Sequence, residues 1–283
     1  MGGGSDLDEA FGWLCGHAGG GDLVVLRATN YDDYNPYIQK LCKLNSVATI
    51  VLPSREAAND PFVAGKIREA SAIFISGGDQ ANYINFWMGT PVQAAVNEAI
   101  TRGVPIGGTS AGLAVLGEYA YSAQGDKPDD PNLDGKTAMA DPFGPRITVV
   151  HGFLAIPLLK SVITDTHFAK RDRMGRLLVF LARLNAKGEK VRGIGVEQGA
   201  AVLLEPDGTA KVVGHGSAYF VTPEQKAEVL AAGKPLTLRD VQVLKVAPGH
   251  RFNVKTWQGE AAQYTLNVDA GKLTSTQAGG SVY

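Results

Sequence analysis

Short unbroken apolar runs alternate with stretches of helical periodicity through the first two thirds of the chain. Leu23-Val24-Val25-Leu26, Val47 to Leu52 and Ala72-Ile73-Phe74-Ile75 lack the polar alternation of a half-exposed strand, so they read as strands covered on both faces. Between them, Asp8 to Cys15, about Asn35 to Leu44, and Pro61 to Ala70 read as amphipathic helices, with Gly19-Gly20-Gly21 ending the first. This order predicts an α/β fold, a three-layer sandwich with a parallel sheet between helices. Val104-Pro105-Ile106 leads into a further strand, and Leu113, Leu116, Tyr119 and Ala120 recur at the spacing of a helix that follows it. Val162-Ile163-Thr164-Asp165 is another strand. The helix after it, through about Leu184, carries Met174, Leu177, Leu178, Leu181 and Leu184 on one stripe.

After Glu205 the pattern changes. Lys211 to Val213, Ala218 to Val221, Val241 to Val246, Phe252 to Trp257 and Tyr264 to Val268 read as short strands between Gly, Pro, Asn and Asp turns. The chain therefore divides into residues 1–205, an α/β catalytic domain, and residues 206–283, a β-rich extension without a linker. Gln124 to Arg146, with Asp126, Lys127, Pro128, Asp129 and Asp130, is a long polar loop, either disordered or a flap over a site. Thr274 to Ser281 is polar and reads as a frayed tail.

Composition narrows the function. Of 283 residues, 45% are hydrophobic and 19% charged, enough to bury a large core, and a net charge of −1 offers no general attraction to nucleic acid or to a membrane surface. No apolar run approaches the ~20 residues that span a bilayer, and no signal-peptide pattern opens the chain. Gly2-Gly3-Gly4-Ser5-Asp6 looks like a loop that follows a first strand, so a preceding strand and any targeting peptide are expected to lie outside this sequence. Cys15 and Cys42 are too few for a disulfide framework; they read as two buried thiols in preference to a bridge, although one bridge would fit an extracytoplasmic life.

Gly108-Thr109-Ser110-Ala111-Gly112 reads Gly-x-Ser-x-Gly between a strand and a helix, the setting of a nucleophile elbow, and a phosphate or packing turn is the alternative. Ser76-Gly77-Gly78-Asp79-Gln80 ends a neighbouring strand on the same edge, where ligands gather in such sheets. The N–H groups of Gly78 and Ala111 can form an oxyanion hole and Gln80 can bond a substrate amide, while an ordinary turn with Asp79 or Gln80 at the helix cap is the simpler account. His167, just past a strand, can reach a serine hydroxyl as general base. His17, His151, His215 and His250 lack that setting. Arg171, Arg173 and Arg176 fall near the N-terminal half of the helix that runs through Leu184 and oppose its dipole, which invites an anionic partner, though a solvated face is the common reading.

Taken together, Gly77-Gly78-Asp79-Gln80, Gly108 to Gly112, and Asp165-Thr166-His167-Phe168 through Arg171-Asp172-Arg173-Met174-Gly175-Arg176-Leu177 resemble the cyanophycinase and dipeptidase E family of serine peptidases. The opening Gly-Gly-Gly-Ser-Asp and Gly193-Ile194-Gly195-Val196 extend the likeness over roughly residues 1–205. The resemblance implies a fold like class I glutamine amidotransferases, with a serine on the elbow. It makes Ser110 the nucleophile, His167 the base, and Gly78 and Ala111 the oxyanion donors. Gln80, Asp165, Arg171, Arg173 and Arg176 fall where a β-linked aspartyl-arginine substrate is held, with arginine for a carboxylate and Asp165 for a guanidinium.

Two departures stand out. Thr166 replaces the family's glutamine before the histidine, and Glu197-Gln198 stands where the family has Asp-Glu. Neighbouring strand residues face opposite ways, so either Glu197 or Gln198, not both, is expected to orient His167. The expected activity is hydrolysis of a peptide or isopeptide bond beside aspartate, without metal or cofactor, on a peptide substrate. An aspartyl dipeptidase, a related amidohydrolase of small substrates, and a weakened enzyme kept as a binding protein are the alternatives. A homodimer and a secreted or periplasmic location complete the expectations.

Overall fold

The computed structural model describes every residue except Asn30 and Pro128; the latter belongs to the polar loop noted above, and its part of that loop lies outside the described residues. In chain order the first half contains α1 (Asp8–His17), β1 (Asp22–Arg27), α2 (Tyr34–Leu41), β2 (Ser46–Val51), α3 (Arg55–Ala58), α4 (Pro61–Glu69), β3 (Ala72–Ile75), α5 (Gln80–Trp87), α6 (Pro91–Thr101), β4 (Ile106–Gly108), α7 (Ala111–Ala114) and β5 (Tyr119–Tyr121). Side-chain caps set several of these starts. Asp60 accepts the Phe62 N–H at 2.8 Å with Pro61 opening α4, and Asp79 accepts the Ala81 N–H at 2.9 Å at the head of α5.

The chain continues through α8 (Gly135–Ala140), β6 (Val149–His151), β7 (Val162–Asp165), α9 (Met174–Ala186), β8 (Arg192–Val196), β9 (Ala200–Leu204), β10 (Thr209–Gly214), β11 (Ala218–Pro223), β12 (Leu238–Val246), β13 (Arg251–Asn253), β14 (Gln258–Gly259), β15 (Ala262–Asp269) and β16 (Lys272–Ser275). One sheet is wholly parallel, ordered β2-β1-β3-β4. A second runs β16-β15-β12-β11-β8-β7-β5-β6, parallel where β5, β7 and β8 meet and antiparallel from β11 outward. A small third sheet is ordered β14-β13-β10-β9. The fold is α/β, as the alternation implies. The β-rich extension joins the second sheet directly, because β11 pairs with β8 from Ala218↔Val196 to Val221↔Gly193.

Between β4 and β9 lies an apolar cavity of about 270 Å³, lined by Leu14, Gly107, Leu113, Val196 and Leu203, among others, and not by Ser110 or His167. No helix among the described residues is long and apolar enough to cross a membrane.

Four expectations need correction. The helix after Ser110 is only Ala111–Ala114, and Tyr119–Tyr121 is a strand. Gly117 explains the break: a Cβ there would stand 2.6 Å from the Val162 carbonyl oxygen, so the chain passes against the backbone of β7 and joins its sheet. Cys15 and Cys42 form a disulfide, 2.03 Å between sulfurs, tying α1 to the end of α2. The strand expected over Phe252 to Trp257 stops at Asn253, where the Asn253 side chain caps a turn by accepting the Lys255 and Thr256 N–H groups. The tail is not frayed. It forms β16 and then places the Tyr283 hydroxyl between the Met174 N–H and Asp172 Oδ1, both at 2.9 Å.

Candidate active site

The Gly-x-Ser-x-Gly pattern is a packing requirement before it is a chemical one. A Cβ on Gly108 would meet Gly112 at 2.6 Å, and one on Gly112 would meet the Ile75 carbonyl oxygen at 2.0 Å. The turn closes tightly against β3, with Gly112 N–H donating to Thr109 O at 2.8 Å. It leaves Ser110 at φ 51°, ψ −118°, a strained backbone for a residue with a side chain. The strain aims Oγ outward at the carboxyl edge of the sheet.

His167 meets it there. Its Nε2 lies 2.7 Å from Ser110 Oγ. The histidine also has positive φ, 48°, and its N–H donates to Gly2 O at 2.8 Å. The opening glycines make room: a Cβ on Gly3 would lie 2.3 Å from His167 Cε1 and 2.5 Å from Nε2, so only glycine lets the chain pass behind the imidazole. Sequence reading noted these glycines but gave them no role; their run beside a serine-histidine pair was the available signal.

On the other side of the ring, Gln198 Nε2 lies 2.5 Å from Nδ1. Glu197 points away, accepting from the Tyr219 hydroxyl at 2.5 Å and the Ser217 N–H at 2.8 Å. Of the two residues weighed for this position, the structure brings Gln198 to the histidine and holds Glu197 on the opposite face. As placed, the amide N–H donates to Nδ1, which leaves the ring proton on Nε2, facing Ser110. Half a turn of the amide puts Oε1 on an Nδ1–H and frees Nε2 to accept from Oγ–H. Only this second tautomer can act as a base.

Burial first, and then the charges of Arg171 and Arg173, lower the His167 pKa to about 4, against the smaller opposing pull of Asp165. The imidazole is thus neutral at physiological pH.

The Gly77-Gly78 loop abuts the elbow, since a Cβ on Gly77 would lie 3.5 Å from Ser110 Cβ. Tyr83 holds the loop by donating to Ser76 O at 2.9 Å and Gly77 O at 3.0 Å. Gly78 is exposed at φ 151°, and neither its N–H nor that of Ala111 has a hydrogen-bond partner among the described residues. Asp79 takes the cap of α5, and Gln80 follows it half-buried.

The expected substrate contacts fare unevenly. Asp165 and Arg176 are each 1% exposed and paired with one another, Arg176 Nε to Oδ2 at 2.8 Å and Nη2 to Oδ1 at 2.5 Å. Arg176 also donates to Leu133 O at 3.2 Å and lies 4.7 Å over the Tyr121 ring. With both carboxylate oxygens and the guanidinium engaged, Asp165 does not receive a substrate guanidinium, nor Arg176 a substrate carboxylate, while the pair stands. Arg173 is buried too. It donates to Thr166 O at 2.9 Å and Thr166 Oγ1 at 3.1 Å, and to Asn132 Oδ1 from Nε and Nη2 at 3.2 and 3.1 Å. Thr166 therefore faces Arg173. Because the helix begins only at Met174, Arg171 precedes α9 and Arg173 is its cap residue, while Arg176 lies in its first turn. Arg171 alone of the three is exposed. Asn132 and Tyr121, which sequence reading passed over, hold this arginine layer; the polar loop containing Asn132 was the signal.

Known proteins resemble this chain over much of its length. The sequence model of peptidase family S51 matches residues 25–212. A protein of Trichormus variabilis named cyanophycinase is 28% identical over 213 residues, covering 74% of this chain and 65% of that protein. One of Geminocystis herdmanii, with the same name, is 29% identical over 197 residues, covering 68% and 65%. The chain thus spans just under two thirds of the length of these curated relatives. Among solved structures, a peptidase from an acI-B1 actinobacterium superposes with a TM-score of 0.57 over 89% of this chain and 94% of that one, at 17% identity, which shows a shared fold.

Proposed function

Since the chain belongs to peptidase family S51, we propose that it is a serine peptidase in which Ser110 attacks and His167 moves the proton. The 2.7 Å Oγ to Nε2 contact on a strained elbow carries this reading. Attack of Oγ on the substrate carbonyl passes its proton to Nε2, and the oxyanion that forms takes the free N–H groups of Gly78 and Ala111. Collapse expels the amine, which receives the proton from His167, and water then releases the acyl group by the same path in reverse. Gln198 orients the ring through its amide oxygen. Nothing in these steps calls for a metal or an organic cofactor.

For the substrate we propose β-aspartyl-arginine material of the cyanophycin type. The support is the name of the relatives and Arg171, the exposed one of the three arginines near His167, as a partner for an aspartyl carboxylate. Gln80 is the second contact proposed. The closed Asp165–Arg176 pair removes two of the contacts expected from the sequence, which favours a site that grips the aspartyl side over one that encloses the arginine. The Cys15–Cys42 bridge accords with an oxidising compartment.

The test is release of β-aspartyl-arginine from cyanophycin by the chain and by Ser110→Ala, beside α- and β-aspartyl dipeptides. Polymer cleavage that falls by about 10³-fold or more in the variant supports the reading. Cleavage of dipeptides alone would move the assignment to an aspartyl dipeptidase. A second reading, a weakened enzyme retained as a binding protein, rests on Gln198, which cannot supply the charge that stabilises an imidazolium; binding of the polymer without turnover or labelling of Ser110 would establish it.

A further inference from the structure

A second cavity lies at the opposite end of β8 from Gln198. It measures about 400 Å³ and is lined by residues that include Arg192, Phe220, Thr222, Leu244 and Trp257. Arg192 opens β8 and Val196 closes it, so the cavity stands roughly 13 Å along the strand from the turn that carries Gln198. It is therefore separate from Ser110, and its contents do not depend on what that serine does.

Three of its lining residues hold unmet polar capacity. The Arg192 guanidinium lies 4.1 Å over the Trp257 ring, is partly desolvated, and has no acidic or hydrogen-bonding partner among the described residues. Trp257 Nε1 and Thr222 Oγ1 are buried without a hydrogen bond. Across the described residues only four side-chain atoms are orphaned in this way, and two of them belong to this one cavity. Both atoms are sealed behind the lining, so the unmet capacity open to a ligand in the cavity is that of the Arg192 guanidinium, a charge with no partner among the described residues. The neighbouring amides do not serve: Gln263 donates to Gln242 Oε1 at 3.1 Å, and Gln242 donates to Thr265 Oγ1 at 3.3 Å.

A guanidinium stacked on an indole offers its edge to a planar acceptor, and a carboxylate matches that edge with two parallel hydrogen bonds. Phe220, Leu244 and the Trp257 ring supply an apolar wall for the rest of the ligand. Glu224, on the same lining, repels a second negative charge and so disfavours phosphate esters and dicarboxylates. We propose that this cavity is a binding site for a small organic monocarboxylate, its carboxylate on Arg192 and its apolar body against Phe220, Leu244 and Trp257.

The experiment is a titration of the full chain, labelled with nitrogen-15, with sodium isovalerate, following the indole N–H resonances of Trp13, Trp87 and Trp257, the last assigned by its loss in Trp257→Phe. The expected result is a saturable shift of the Trp257 resonance at millimolar isovalerate, with Trp13 and Trp87 unmoved. Binding should weaken at least about tenfold in Arg192→Gln, partly recover in Arg192→Lys, and be unchanged in Ser110→Ala. Succinate should bind more weakly than isovalerate. The proposal is overturned if isovaleramide, the neutral isostere, shifts Trp257 equally, if Arg192→Gln leaves the titration unchanged, or if no saturable shift occurs and the cavity holds water alone. Unmoved Trp13 and Trp87 resonances in the variants confirm that they fold.

Discussion

Gln198→Glu tests how the histidine is controlled. The exchange is isosteric, so it places a carboxylate oxygen where an amide nitrogen now stands 2.5 Å from His167 Nδ1. Two consequences follow. A carboxylate only accepts, so it fixes the proton on Nδ1 and leaves Nε2 as a base in every molecule. It also stabilises the imidazolium. With charge centres about 4 Å apart and an effective dielectric near 20, the attraction is about 4 kcal/mol, an upper bound. Gln198 is half-exposed, and Arg171 and Arg173 oppose protonation of the ring, so a rise of about one to two pH units from the present value of about 4 is expected. Replacing the triad aspartate by asparagine costs about 10⁴ in a serine protease. A glutamine can still present its oxygen, so the gain on restoring the acid is smaller, about 10- to 10³-fold in kcat. The assay is kcat and kcat/KM for release of β-aspartyl-arginine from acid to neutral pH, with the rate of fluorophosphonate labelling at Ser110 beside it. A variant no faster at any pH, with its acid limb where the parent has it, would refute both the tautomer argument and the charge argument.

Other expected outcomes follow from the same contacts. With His167 near 4 and neutral above that value, the parent should keep constant kcat/KM as the pH falls from 7 to about 5 and lose half near 4, read from a pH–rate profile. Because the folded pKa lies below the unfolded value of about 6.5, the unfolded chain takes up the proton first; denaturant midpoints should show stability lost as pH falls through that window. Asp165→Asn breaks a buried pair and should cost about 3–5 kcal/mol, with Tm falling by about 10 °C by calorimetry. Glu197→Gln should lower stability by about 1–3 kcal/mol through its Tyr219 and Ser217 contacts while leaving kcat within about threefold; a collapse of kcat at unchanged KM would place Glu197 in the catalytic path.

Apolar periodicity located the parallel strands well, because β1 and β3 are buried runs with no competing pattern; β2, at the edge of the sheet and carrying Ser46 and Thr49, stays partly exposed along its length where cover on both faces was expected. It failed at Tyr119 to Tyr121. There the residues fit a helix by spacing, but Gly117 admits a close backbone contact with Val162 that decides for the sheet, and no local pattern reports a contact across 45 residues of chain. The elbow was legible for a related reason turned the other way. Gly108 and Gly112 stand two residues either side of the serine they serve, so the constraint and the chemistry share one short motif. The orientation of Gln198 was legible only as a choice, since strand alternation says that Glu197 and Gln198 diverge and not which of them faces His167.

The arginine layer shows where residue-by-residue inference loses its hold. The family resemblance gives Asp165 and Arg176 each an external partner, one a guanidinium and the other a carboxylate. The two assignments are complementary, and the fold satisfies them with each other: β7 ends at Asp165, the chain turns through His167, and the start of α9 returns Arg176 to both carboxylate oxygens. A buried charge must be paired, so its nearest candidate partner is another charge on the same short loop before it is any substrate. Arg173 obeys the same logic through Thr166 and Asn132. Among the charges that the internal pairings leave over are Arg171, whose charge acts on His167, and Arg192 at the far end of β8. Recognition of anything outside the chain is to be sought among such leftovers, because they still lack what their burial or charge demands.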